Sequence, residues 1–274
     1  MSEFNNIGNM ILHEFIRQVQ EQGLEVSGQH PETGQISLKN ADGQTVLVSL
    51  LNLVDYYYTS RDENAVNDFV RKVVSVLRPQ KTPDWDKARS RVYVSLYPWD
   101  SKKRPPLAKE VADYCGRFFI LDTPETALWI TPAMLTEWKI TEAALEAEAL
   151  ANGDALLAAT DLEVARLDGR ALGSFKLRDR TLNAALLMAP SLKDKVRERF
   201  GWPLYAVIPN KTTCRFFGPD DFSYFEQNLA EFVADEYDNP RRITPELLEF
   251  NDGGIRPICT WVKRMGYIMK FDSE

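Results

Sequence analysis

At 274 residues and 44% hydrophobic, the chain is long enough for one large or two ordinary domains with a sizeable core. A net charge of −7 argues against bulk binding to nucleic acid or anionic membrane, and no apolar run reaches the roughly 18 residues of a membrane-spanning helix. Three distant cysteines, Cys115, Cys214 and Cys259, and two histidines exclude a disulfide framework and any Cys-x-x-Cys site, so no metal and no organic cofactor is expected. The first residues are polar and acidic without a basic segment, which predicts no signal peptide and, with free thiols, a cytoplasmic protein.

The first predicted element is an amphipathic helix over 10–22, with Ile11, Phe15 and Val19 on one face and Gly23 at its end. Short strands follow at 24–27, 36–39 and 45–49, joined by turns at 30–34 and at Asn40-Ala41-Asp42-Gly43. Helices are predicted over 50–58 and 63–77, the latter burying Val66, Phe69, Val70, Val73 and Leu77. The resulting α-β-β-β-α order suits a domain of about 80 residues. The stretch 78–84, with Pro79 and Pro83, reads as a linker. The boundaries are therefore 1–82 and 83–274.

Beyond it, 91–97 reads as a strand stopped by Pro98, and 101–106 as a basic, proline-rich loop. A short helix over 107–115 leads into strands at 117–121 and 127–130. Thr131-Pro132 opens one helix as cap and first residue. Thr141 opens another, ending at Asn152-Gly153. A hairpin turns at Asp168-Gly169, and helices cover 181–188 and 192–200. The second region is organised around 203–238. Leu204 to Ile208 is apolar throughout, as in a strand covered on both faces. Pro209-Asn210-Lys211 turns the chain into strand 213–217, and Gly218-Pro219-Asp220-Asp221 caps a helix on which Phe222, Phe225, Leu229, Phe232, Val233 and Tyr237 recur at helical spacing. Strand–strand–helix thus occurs twice, at 162–189 and 204–237, read as two ordinary units rather than a repeat. Ile130-Thr131-Pro132 and Ile243-Thr244-Pro245 both read as helix starts. Asn251-Asp252-Gly253-Gly254 is a turn, and the tail 255–271, with Trp261, Tyr267, Ile268 and Phe271, is too apolar to be a free arm; it reads as a last strand or a short helix. The fold class is α+β: an N-terminal α-β-β-β-α unit packed beside a larger mixed region of strand-strand-helix units.

Three stretches carry a family resemblance: Ile140-Thr141-Glu142-Ala143-Ala144-Leu145, Pro203-Leu204-Tyr205-Ala206-Val207-Ile208-Pro209-Asn210, and the 222–237 helix followed by Ile243-Thr244-Pro245 and Asn251-Asp252-Gly253. With the N-terminal element order, they make the chain similar to the YtpQ-like family of uncharacterised bacterial proteins (domain of unknown function 1444). The loop with Lys102-Lys103-Arg104 and the tail after Ile258 depart from it. The resemblance implies a bacterial cytosolic protein and brings no activity, cofactor or catalytic residue.

No phosphate-binding glycine loop, dinucleotide fingerprint, zinc-protease helix or nucleophile elbow occurs. His13 reads as a helix-surface residue and His30 as a loop residue. Glu231 and Asp235, four apart on an acidic helix, could share a cation; a solvated face is the simpler reading. Tyr93, Tyr97 and Trp99 lie close to Lys102, Lys103 and Arg104, an aromatic and basic combination suited to a partner. Residues 71–117 carry twelve Lys/Arg against five Asp/Glu, while 1–68 carry three against ten. The N-terminal order also occurs in double-stranded-RNA-binding modules, a use its acidity opposes, and in secretion-chaperone-like folds, which bind peptides. The leading expectation is a non-enzymatic binding or adaptor protein with a protein partner at Tyr97, Trp99, Lys102, Lys103 and Arg104. The alternative is an enzyme using carboxylates such as Asp252, and the third reading is nucleic-acid binding through 89–104.

Overall fold

The computed structural model describes residues 2–31, 34–40, 45–50, 53–54, 56–57, 62, 64–77, 83–100, 105–123, 127–177, 180–238, 241–264 and 267–273. The fold is mixed α+β, with three antiparallel sheets among these residues. The chain forms two compact units, Met1–Thr82 and Pro83–Glu274. The expected linker lies mostly outside the described residues, as do residues 41–43 of the turn expected at 40–43 and much of the helix expected over 50–58.

In the first unit, α1 (Ser2–Glu21) precedes β1 (Glu25–His30), β2 (Gln35–Lys39), β3 (Thr45–Ser49) and α2 (Ala65–Leu77). Ile11, Phe15 and Val19 recur at helical spacing and are all wholly buried. They meet Ile36, Leu38 and Val48 from the sheet and Val66, Val70 and Val73 from α2 in one apolar cluster. Phe15 and Phe69 join the two helices with ring centroids 5.7 Å apart. Gly23 ends α1 with φ +80°, a conformation costly for any side chain.

The second unit opens with α3 (Trp85–Ala88), β4 (Val92–Pro98), β5 (Lys109–Glu110), β6 (Cys115–Asp122) and β7 (Ala127–Trp129). These strands form a small sheet in which β6 pairs with β4, β5 and β7. The helix expected over 107–115 is a tight hairpin instead. Val111 and Ala112 donate their amides to the Cys115 carbonyl, and Lys109–Glu110 pairs with β6. Nine residues are too few to hold a helix without a strong apolar face, and the sheet edge offers those amides a carbonyl directly.

Helices α4 (Pro132–Trp138) and α5 (Glu142–Ala158) are capped as expected. The hydroxyls of Thr131 and Thr141 accept from the amides of Met134 and Ala144. However, α5 does not stop at Gly153. Gly153 is buried against the segment that follows the helix Asn183–Leu187, where an added Cβ would lie in ordinary contact 3.7 Å from Ala189. Leu145, Ala149, Gly153 and Leu157 are all buried at four-residue spacing, so the buried face carries the helix past the glycine.

The large sheet comprises β8 (Asp161–Leu167), β9 (Arg170–Lys176), β10 (Leu204–Asn210), β11 (Thr213–Phe217), β12 (Glu246–Asn251), β13 (Gly254–Arg264) and β14 (Tyr267–Asp272), in the order β14-β13-β12-β10-β11-β9-β8. Between its strands lie α6 (Asn183–Leu187), α7 (Leu192–Phe200) and α8 (Phe222–Tyr237). Leu204, Ala206 and Ile208 belong to the cluster that includes α6 and α7, whereas Val207 belongs to the one under α8. The unbroken apolar run of β10 is therefore a strand covered on both faces.

Three local expectations are corrected. The strand β10 runs through Asn210, and the turn falls at Lys211-Thr212, because the Asn210 carboxamide oxygen accepts from the Thr212 amide and hydroxyl at 3.0 Å. Asp221 makes no side-chain cap to α8; its carboxylate turns 3.5 Å from Arg170. Ile243-Thr244-Pro245 leads into strand β12, not a helix. Thr244 is fully buried, and its hydroxyl accepts from the Glu246 amide. The apolar tail is the two-stranded hairpin of β13 and β14.

Candidate binding surface

The hairpin β13–β14 brings Arg264 opposite Tyr267 and Thr260 opposite Phe271. The Ser273 amide donates to the Ile258 carbonyl, in step with this register. Odd-numbered residues of β14 therefore spend their backbone groups on β13. Ile268, Lys270 and Asp272 present theirs to the open side of the sheet. Side chains alternate across the faces. Ile268 joins the apolar cluster beneath α8, and the Lys270 ammonium donates to Glu226 of α8 at 2.6 Å while lying 5.3 Å from the Phe222 ring. On the opposite face Tyr267, Met269 and Phe271 are 77%, 42% and 44% exposed. They form an apolar stripe along a sheet edge, continued inward on β13 by half-buried Val262 and buried Thr260.

The most deeply buried ionisable groups lie elsewhere and are closed. Glu246 is 1% exposed. Its carboxylate accepts from the Thr244 hydroxyl at 2.5 Å and the Tyr114 amide at 3.4 Å. Desolvation raises its pKa above the ordinary carboxylate value. Cys115 is fully buried beside it, and burial, then the charge of Glu246, pushes its thiol well above the usual range. A thiol held neutral in a dry site is a poor nucleophile. Nearby, Lys211 sits 4.4 Å from the Tyr97 ring, with its pKa lowered by burial and by Arg241.

Asp252, the carboxylate singled out for catalysis, occupies the β12–β13 turn. It accepts from the Lys193 ammonium at 2.8 and 2.9 Å and from the Trp202 indole at 2.9 Å. These hydrogen bonds lower its pKa, which weakens it as a proton acceptor. The group rims a shallow depression of about 340 Å³ floored by Leu187, Pro190, Phe250 and Ile255.

Of the residues expected to bind a partner, Tyr97 is buried, with centroids 5.6 Å from Phe118 and 5.9 Å from Trp129. Burial and then the Asp122 charge push its hydroxyl up to about 12. Trp99 is half-buried and lies against Gly116, where an added Cβ would stand 2.5 Å from the indole. Lys102, Lys103 and Arg104 lie outside the described residues. The α8 carboxylates bind side chains of the β13–β14 hairpin: Asp235 meets Lys263 at 3.0 Å, as Glu226 meets Lys270. Among the described residues no three His, Cys, Asp or Glu side chains converge as a metal site, and no helix is long and apolar enough to cross a membrane. The stripe on β14 escaped sequence reading. Its signal is the alternation Tyr267-x-Met269-x-Phe271, legible only once the tail is known to be an edge strand. In comparisons with protein-family models, curated proteins and solved structures, nothing matches the chain.

Proposed function

We propose that this is a binding or adaptor protein that takes an extended polypeptide onto the open edge of β14, rather than an enzyme. The observation that carries this reading is the exposed stripe of Tyr267, Met269 and Phe271 on a strand that, among the described residues, pairs on one side only. Strand addition uses both features: main-chain hydrogen bonds give affinity, and alternate side chains give specificity. The carboxylates best placed for chemistry are engaged, Asp252 by Lys193 and Trp202, Glu249 by Arg256 and Asn251. We place the protein beside the YtpQ-like family and in the bacterial cytoplasm, with no membrane or nucleic-acid partner. The test is selection of strand-forming peptides from a displayed library, repeated on the variant Tyr267→Thr/Met269→Thr/Phe271→Thr, which keeps β propensity. Enrichment lost in the variant supports the reading; no enrichment, or enrichment equal in both, ends it.

A second reading has its own observation, the apolar depression beneath Asp252, Lys193 and Trp202. There the three polar groups would orient a small polar ligand. A small-molecule thermal-shift screen in which Asp252→Asn abolishes every hit supports it; hits unaffected by that change end it.

A further inference from the structure

We infer that the occupant of the β14 edge is a second copy of this chain, paired antiparallel about a two-fold axis at Met269. This rests on the reading of β14 as a binding edge and names its partner. A two-fold pairing of one strand with itself has few registers. The outward-facing backbone groups belong to Ile268, Lys270 and Asp272, so the strands meet through these positions. With the axis at Lys270, Tyr267 faces Ser273 and leaves the stripe; with the axis at Phe271, Lys270 faces Asp272 and Tyr267 has no partner in the strand. With the axis at Met269, Lys270 faces Ile268 of the other copy, and both exchange main-chain hydrogen bonds. Met269 then faces Met269 across a non-hydrogen-bonded pair, where side chains approach most closely. Tyr267 faces Phe271 on either side, giving six apolar side chains in one continuous stripe.

Charge also decides against head-to-tail assembly. The other open edge, β8, exposes Asp161 and Glu163, so β14 laid on β8 would press Tyr267 and Met269 against carboxylates. The same carboxylates would repel a second β8. Of the two edges of the large sheet, β14 is the one complementary to itself. Its size sets the strength. Pairing edge to edge covers the strand edge and the flanks of these three side chains and leaves their outer face in water, so the contact is smaller than their exposed area. That is below the area of a standard specific interface and fits a weak, transient one. The dimer is therefore concentration-dependent.

Sedimentation of the full chain from about 1 to 500 µM tests this. The expected result is a monomer–dimer equilibrium that Met269→Lys weakens at least about tenfold by setting two ammonium groups face to face, with an unchanged melting curve. Register is read by cysteine cross-linking, because the native thiols of Cys115, Cys214 and Cys259 are buried. Met269→Cys should form an intermolecular disulfide on mild oxidation. Tyr267→Cys should not, unless Phe271→Cys is added. A monomer at every concentration, higher oligomers or filaments, or equal cross-linking of the two single variants overturns the inference. A monomer that still selects peptides through β14 keeps the edge reading while ending self-pairing; a monomer that selects none ends both.

Discussion

The two open edges of the large sheet are built on opposite terms. On β8 the outward residues begin with Asp161 and Glu163, and Asp161 stands opposite Lys176 of β9. Together with Lys195, Glu198 and Arg199 of α7 they line a polar groove. Charge on an edge strand discourages another chain from adding to it, because those groups would lose water without a partner. On β14 the corresponding residues are Tyr267, Met269 and Phe271, and nothing charged interrupts the stripe. The strand is not neglected, since α8 ties down its other face through Glu226–Lys270 and, on β13, Asp235–Lys263. One edge is guarded and the other offered, although both belong to the same sheet.

If the difference is one of surface and not of stability, the layers beneath the two edges should be equally intolerant. Trp261→Ala, which empties a fully buried indole under α8 on the β14 side, should cost about 3–5 kcal/mol, read by urea unfolding of the full chain. On the β8 side, Gly173→Ala would put a Cβ 2.2 Å from the Phe216 ring and 2.6 Å from Phe200. It should cost about 1–3 kcal/mol by overpacking. A harmless Gly173→Ala would mean that the β8 side is loosely packed, and the comparison would then be one of cores.

Between the edges, β12 carries two buried carboxylates on opposite faces, and they should respond to pH with opposite sign. Glu249 is held by Arg256 at 2.8 and 3.0 Å, which lowers its pKa. Its stabilisation is present above the ordinary carboxylate value and is lost as pH falls through the lowered one. Glu249→Gln should thus cost about 1–2 kcal/mol at neutral pH, with the deficit vanishing in acid. Glu246, raised by desolvation, binds its proton more tightly folded than unfolded. It costs stability as pH rises from the unfolded value through the folded one, so Glu246→Gln should gain stability at neutral pH and gain nothing in acid. Melting curves from pH 4 to 8 separate the two; gains or losses of the same sign would overturn the assignment.

The sharpest test moves surface character from one edge to the other. Asp161→Tyr/Glu163→Met on β8 should leave the melting temperature nearly unchanged and create a second association site, seen in sedimentation as species beyond the dimer. An unchanged sedimentation profile would show that apolar side chains alone do not make an edge adhesive. The smallest effect is reserved for Lys263→Ala, which removes an exposed ion pair. It should fall within the scatter of a melting curve, and a clear loss would mean that these pairs lock the hairpin to α8.

Periodicity made the elements readable where they bury a face. The 11/15/19 spacing of α1, the alternation of β2 and β3, the caps at Thr131 and Thr141, and the apolar run of β10 each carry their answer within a few residues, because helix and strand geometry dictate which side chains share a side. Errors fell where a residue type serves two purposes. Gly153 looks like a helix stop and is a buried position inside one. Thr244-Pro245 looks like a helix start and is a buried strand entry, with its hydroxyl held by Glu246. Pro105-Pro106 and the residues after them read as loop and helix, while the amides of Val111 and Ala112 had a sheet carbonyl waiting.

The candidate site was less legible for the same reason. The aromatic and basic cluster around Tyr97 and Trp99 is conspicuous in one dimension, yet Tyr97 is buried against Phe118, Trp129 and Lys211, whereas Tyr267, Met269 and Phe271 drew notice only as an apolar tail. Local spacing determines which residues share a face of an element. Which face is covered, and which strand stands last in a sheet, depends on contacts between residues far apart in the chain. Seven strands placed β14 at one edge and β8 at the other, and only that order turned an apolar tail into an exposed stripe.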